Sequence, residues 1–520
     1  MVASPAESFQ KLKRKIKPEW KTAFLGALVI GLLIHMPVML SDIPNHDGLD
    51  SMYFDQNMIT SGRWFLTIAC GFSSYYTLPW VIGLLGLLFL AAAAAALTEL
   101  LELKGTVPIL LVSGLLVSFP ALSSTFAYVF TLDGYMLALL LAVLSVLLTK
   151  KYRFGFVWGG VCLAFSMGTY QAYLSAAMLL CIYCILEICM EQNSWKHKFK
   201  QSVRYLYMGI IGAGLYYVML QVLLKIQGKE LASYQGISGM DAGAAAQKGL
   251  VSTVVQMYQD FAAFTVKGNV LFNSPLSLLA VGLIAAACLL TLVCLCFWRK
   301  WWKNPMFFGI MALLALGLPL ATNVILLVSP DVTYHLLMRY QWVLYLILGA
   351  AFVSRYGASL SGKGVYLQWI VSIGAFVLIF HYGVTDNIGY SNLEKRYEKT
   401  YAYCVRLLDR IEQTEGYYQG IPVAIVGVVG DDSFPVTDIT GDVTSNMIGL
   451  SGDSLLYTGK NYELFMKHYL GATLNFLPAE EVQEIYYSEE YVEMESFPGK
   501  NSTRVVDGIL YVKTENAARD

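Results

Sequence analysis

Residues 79–98 read PWVIGLLGLLFLAAAAAALT, twenty consecutive positions without a charge. A helix rises about 1.5 Å per residue, so this run covers roughly 30 Å, the thickness of a bilayer's hydrocarbon core. Outward from it, the chain repeats the pattern at 22–40, 106–124, 130–149, 155–168, 170–190, 204–226, 273–297, 305–328, 333–353 and 364–383. The reading is a polytopic α-helical membrane protein of about 11 transmembrane helices. The segments 155–168 and 170–190 are almost contiguous, and the shorter also reads as re-entrant. Composition agrees, with 56% hydrophobic and 14% charged residues where soluble domains carry about a quarter charged. The run 22–40 follows KLKRKIKPEWK but is too long for a signal peptide and lacks a small-residue cleavage site, so it is expected to remain as the first span. Eight of nine cysteines precede residue 300, mostly inside apolar runs. The Cys181 and Cys184 pair sits mid-span and reads as small buried apolar residues.

Orientation follows from the bias of Lys and Arg toward the cytoplasm. With residues 1–21 as a basic cytoplasmic N-terminus, the segments around 150–153, 196–204, 298–303 and Arg355 to Lys363 also lie inside. The inner segments then hold 19 of 36 Lys and Arg, the outer loops and nearby span ends 6, and the tail from 384 holds 11. The outside receives loops 41–78 and 227–272, the 329–333 connection and the tail 384–520. The membrane domain is thus 22–383, and a cell-membrane, multi-pass location with an extracytoplasmic C-terminal domain is expected. Within the second loop, 248–264 has helical apolar spacing, as for a helix on the membrane surface or one packed on the bundle. The tail begins with a helix near 391–413, and 422–429 and 508–514 read as strands of a small α/β domain. Its Gly427, Gly430, Asp431 and Asp432 cluster has neither the spacing nor the lysine of a phosphate-binding loop.

The ionisable residues concentrate in 41-SDIPNHDGLDSMYFDQNMITSGRWFL-66, which holds His46, Asp47, Asp50 and Arg63 between two spans. A carboxylate near a bilayer surface is partly desolvated, which raises its pKa and makes it a better base toward a hydroxyl. A solvated loop without chemistry reads the same way. At the same outer level stand Asp133, Tyr170 with Gln171, Lys267 and Arg339. Arg339, a turn below the interface, needs an anionic partner or a route to lipid phosphate. Asp133 and Lys267 also read as helix-end charges in water, and Tyr170 and Gln171 as interfacial residues.

The pattern 45-NHDGLD-50, then 62-GRW-64, then the YQ pair at 170–171, in a multi-span body with an outer tail, resembles the Gtr-type, glucosyltransferase II-like proteins of the GT-C class. The resemblance covers residues 20 to about 410. It implies a GT-C-like membrane domain and inverting transfer of a hexose, glucose by default, from a polyprenyl-phosphate-sugar donor to a surface glycan. Activated nucleotides are scarce outside the cell, so an outer site suits a lipid-linked donor. Neither a metal nor another cofactor is required, because a phosphate monoester leaves as a stable anion that needs cations more than a proton. On this expectation Asp47 is the base, with Asp50 or Asp133 orienting the acceptor or sharing that role. Arg63, Arg339 and Lys267 would hold the departing phosphate. His46, Trp64, Tyr170 and Gln171 would contact substrate. The partners are donor lipid, glycan acceptor and bilayer, with no nucleic acid. A transporter or flippase is the main rival, yet such proteins put ionisable residues and repeats near the midplane. His35, Glu187 and Lys225 are the nearest exceptions; Glu187 and Lys225 sit toward span ends, and His35 reads as a bundle histidine. A polysaccharide polymerase or ligase is the third reading.

Overall fold

The computed structural model describes residues 4–52, 55–73, 76–232, 249–329, 332–357, 360, 362, 364–426, 443–451, 456 and 459–514. The chain divides into two compact units, Met1–Leu40 with Asp55–Asn387, and Ser41–Phe54 with Ile388–Asp520. The first part of the loop expected between the opening spans therefore folds with the tail.

In the membrane unit, apolar segments become helices because a backbone in hydrocarbon must satisfy its own hydrogen bonds. Eight helices among the described residues are long and apolar enough to cross a bilayer: Pro18–Leu40, Pro79–Leu100, Val129–Lys151, Gln171–Met190, Trp195–Gln227, Pro275–Trp298, Pro305–Thr322 and Gly364–Glu412. The bent pair Thr106–Ser118 and Pro120–Ala127, with a 40° break, makes a ninth if it is one span. Pro120 explains the break, since its ring removes a backbone donor.

Two of the eleven expected spans are helices of only 15 residues, short for a bilayer crossing. Gly155–Thr169 is a helix of 15 residues, about 22 Å long, packed between Leu132–Lys151 and Trp195–Gln227. That packing is backbone-close. A Cβ on Gly159 would stand 2.4 Å from the Ser145 carbonyl oxygen, and one on Gly160 would stand 2.6 Å from Ile211. The stretch 333–353 is helical only over Val343–Gly357, because residues 336–342 form two 3-10 turns around Arg339 and Gln341. By length and composition, eight or nine such helices stand among the described residues, which does not confirm the expected eleven.

Five helix ends meet in one ionic network. Lys17 and Trp20 reach Glu99 at 2.7 Å, and Lys151 pairs with the same carboxylate. Lys150 bonds Glu187 at 2.8 Å and Glu102 at 3.1 Å. Arg355 pairs with both of those acids. The alternation read from the sequence requires these ends to share one face. Glu187 is only 6% exposed, and removing it leaves Lys150 and Arg355 with the more exposed Glu102 alone. Glu187→Ala is expected to cost on the order of 3 kcal/mol, read as a lower midpoint in thermal unfolding of the detergent-solubilised protein. His35 is a satisfied bundle histidine, with Nε2 donating to the Val117 carbonyl at 2.7 Å and the ring stacked on Phe126.

The helix expected over 248–264 is Leu250–Lys267, packed on the bundle: Tyr258 donates to the Leu316 carbonyl, and Asn323 donates to the Met257 carbonyl. In the second unit, β1 (Pro422–Val426), β2 (Asn475–Phe476), β3 (Thr503–Val506) and β4 (Ile509–Lys513) form one sheet in the order β2-β1-β4-β3. β1 is parallel to β2 and to β4, and β3 and β4 form a hairpin. Its two-residue turn is Asp507–Gly508, both at positive φ, as the twist of paired strands favours. The core joins Leu407, Ile411, Val423, Phe465, Leu510 and Val512 with Leu49 from the loop. The expected strand 422–429 is described as far as Val426, and the Gly427 to Asp432 cluster lies outside the described residues.

Candidate functional site

In the membrane unit, the GRW and YQ residues come together. Ile59–Ser61 forms a single 3-10 turn that Gly62 ends at φ +75°, a conformation other residues adopt only with strain. The Gln171 amide donates to the Ser61 carbonyl at 2.9 Å and to the Tyr216 hydroxyl at 3.1 Å. That hydroxyl in turn donates to the Gly62 carbonyl at 3.1 Å. A Cβ on Gly62 would strike both side chains, at 2.5 and 2.6 Å. On the other side, the Phe65 N–H donates to the Gly168 carbonyl at 2.7 Å, and the Trp64 indole covers Gly168 so closely that a Cβ there would lie 2.5 Å away. Trp64, 8% exposed, also packs edge-on against Phe165. Trp64 and Gln171 thus hold the backbone on either side of Arg63.

What they position is Arg63. Its guanidinium carbon lies 4.7 Å from the Tyr170 ring centre, and Nη1 donates to the Tyr135 hydroxyl at 3.3 Å. Tyr135 and Tyr170 stack in parallel, 4.2 Å apart, and Tyr173 meets both edge-on. A cation on an aromatic face gains about 0.5–2 kcal/mol, and the shelf fixes the direction of its donors. Asp133 opens the next helix, fully buried rather than in water, with Oδ1 accepting from the Gly134 N–H at 2.8 Å and Cys70 and Ser73 beside it. It ties the segment after Trp64 to the 132–151 helix.

Arg339 is placed differently. Both its terminal nitrogens bond Asp260 at 2.7 Å, Nε donates to the Tyr334 carbonyl at 3.0 Å, and the rings of Tyr334, Phe264 and Trp342 surround it. A guanidinium so engaged ties the 250–267 helix to the 336–342 turns. Arg339→Ala is expected to lower the thermal midpoint, since Asp260 and the ring cage lose their cation, while leaving affinity for lipid phosphate unchanged in a binding titration. Lys267 is exposed at the end of that helix and is not brought to Arg63 by any described bond.

His46, Asp47 and Asp50 lie in the second unit, on the one-turn helix His46–Asp50. Asn45 caps it, accepting from the Gly48 N–H at 2.8 Å, and Leu49 anchors it in the sheet's core. The Asn461 amide donates to the His46 carbonyl at 3.4 Å. Asp47 is 54% exposed, 3.4 Å from His46 Nε2. Burial pushes the Asp50 carboxyl above its ordinary value, with Lys460 opposing, and raises Asp42 likewise. Burial also lowers His46, which Asp47 partly offsets, and this favours a neutral ring near pH 7.

Sequence reasoning missed Asp260, Tyr135 and Tyr216. Asp260 was visible as an acid on the surface helix; the two tyrosines sit in apolar runs and give no signal. Asp386, fully buried beside Ser123, was likewise missed.

Fold and site together define a multi-pass membrane protein with an arginine held on a tyrosine shelf and a small α/β unit in its polar tail. Residues 36–356, more than half of the chain and including this shelf, match the family described as Glucosyl transferase GtrII, and the chain belongs to that family. No curated protein and no solved structure matches it. The family makes the chain a sugar transferase, with a sugar donor and an acceptor.

Proposed function

We propose that this protein transfers glucose from a polyprenyl-phosphate carrier to a surface glycan on the outer face of the cell membrane, with inversion. The observation that carries the reading is the Arg63 shelf, which lies inside the stretch matched to the glucosyl transferase family. Arg63 binds the donor's phosphate, and the Tyr135–Tyr170 pair keeps its fork aimed. The acceptor hydroxyl oxygen attacks the anomeric carbon as the bond from that carbon to the phosphate oxygen breaks. The hydroxyl proton goes to a carboxylate, assigned to Asp47, and the carrier departs as a phosphate monoester paired with Arg63. Asp50 on the same short helix orients the acceptor or shares the base role. The clustering of Lys and Arg in the inner segments supports the outward placement.

The test is transfer in proteoliposomes supplied with polyprenyl-phosphate-[14C]glucose and surface polysaccharide from cells lacking the protein. Label should move to the polysaccharide, and the intact cells should gain glucose in their surface glycan when the protein is restored. Uptake of labelled lipid-linked sugar across the vesicle wall with no transfer would establish a transporter and defeat the reading.

A further inference from the structure

The second unit contains a cleft of about 460 Å³, inside the range of small-ligand sites. Ile425, near the end of β1, and the residues following Phe476 in β2 line its floor, so it opens beyond the carboxyl ends of two parallel strands. That is where open α/β sheets bind ligands, since the connections there leave a crevice. The walls are Lys460 and Glu463 on one side, and Gln483, Tyr486 and Tyr487 on the other.

Those residues select a ligand class. Tyr487 is 70% exposed, and its ring stands 5.0 Å from that of Tyr486 at 88°, so the two make a corner of aromatic faces. Exposed rings at a cleft stack on the C–H faces of a sugar, while an amide, a carboxylate and an ammonium bond its hydroxyls. Lys460 is balanced by Glu463 at 3.2 Å, and the neighbouring helix brings Glu480, Glu481 and Glu484, so an anionic ligand is disfavoured. The Lys460–Glu463 wall also supports the motif helix: Asn461 donates to the His46 carbonyl, and Lys460 acts on Asp50.

We propose that this cleft binds the acceptor saccharide, an inference that rests on the glycosyl-transfer reading above and extends it to a region outside the matched family stretch. The test uses the full-length protein in nanodiscs, with surface polysaccharide purified from cells lacking the protein as the probe. Binding is measured by calorimetry, and acceptor KM and kcat in the transfer assay. Tyr487→Ala, at an exposed position where folding is unaffected, should weaken binding and raise acceptor KM by about tenfold or more, with kcat and donor KM unchanged. Tyr487→Phe should retain binding, since stacking needs the ring, and Gln483→Ala should lie between. Normal acceptor KM in Tyr487→Ala and Gln483→Ala, with transfer intact, overturns the cleft assignment alone and points to a protein as occupant. Polysaccharide binding that Tyr487→Ala abolishes, in a protein that transfers no sugar, upholds the cleft as a glycan site and defeats the transfer reading alone.

Discussion

Replacing Asp47 by asparagine is expected to lower glucose transfer by about 10²–10⁴-fold, the usual contribution of a positioned general base, with folding and membrane insertion retained. The substitution keeps size and polarity at an exposed position of a one-turn helix whose anchor is Leu49, so thermal unfolding should not change. The pH profile separates Asp47 from its neighbour. A base works only when ionised, so the rate falls as pH drops through its pKa. Burial raises the Asp50 carboxyl, so a profile governed by Asp50 fails at a higher pH than an ordinary aspartate would give. An acid limb that Asp47→Asn removes and Asp50→Asn leaves in place supports Asp47. Near-normal turnover in Asp47→Asn, with Asp50→Asn inactive, would move the base three residues along.

The amount legible in the sequence differed by scale. Long uncharged runs had one physical solution, and so the membrane helices were readable at the level of which segments are helical. Their limits were not. Hydropathy could not show that Arg339 and Gln341 would be taken up by two 3-10 turns, because the partner that makes this favourable, Asp260, lies 79 residues away in another loop. The same limit affected the end of the membrane domain. Residues 384–391 contain Asn387 and Gly389, which weaken a helix in isolation, yet Gly364–Glu412 is continuous. There Asn387 donates to the carbonyls of Ile34 and Gly383, and Gly389 lies against Leu450, so packing overrides propensity.

The candidate site shows a related division. The residue types in NHDGLD and GRW were informative, but their partition was not. Asp47 and Asp50 belong to the compact unit built on the tail because one apolar residue between them, Leu49, joins its core. Among the cations, sequence position favoured Arg63 and Arg339 over Lys267 but could not tell the two arginines apart. The structure separates them by what surrounds each: a tyrosine shelf, a carboxylate with three rings, and solvent.

That separation makes Arg63 the cation with most to lose. Arg63→Ala is expected to reduce kcat/KM for transfer by about 10²–10³-fold, as when a preorganised donor to developing negative charge is removed. Arg63→Lys should recover only part of this, since an ammonium keeps the charge but neither forks onto two phosphate oxygens nor lies flat on Tyr170. The backbone at this point is fixed by Gly62, Gln171 and Tyr216 rather than by the arginine, so both variants should unfold close to the wild-type temperature. A purely structural arginine would behave in the opposite way, lowering the midpoint by the value of a cation–π contact and leaving activity per folded molecule intact. Product inhibition decides between them: polyprenyl phosphate should inhibit Arg63→Ala at concentrations at least tenfold higher than wild type, a factor equal to about 1.4 kcal/mol of lost phosphate binding. Should that inhibition constant stay where it is in the wild type, Arg63 does not touch the phosphate, and the tyrosine shelf serves the fold alone.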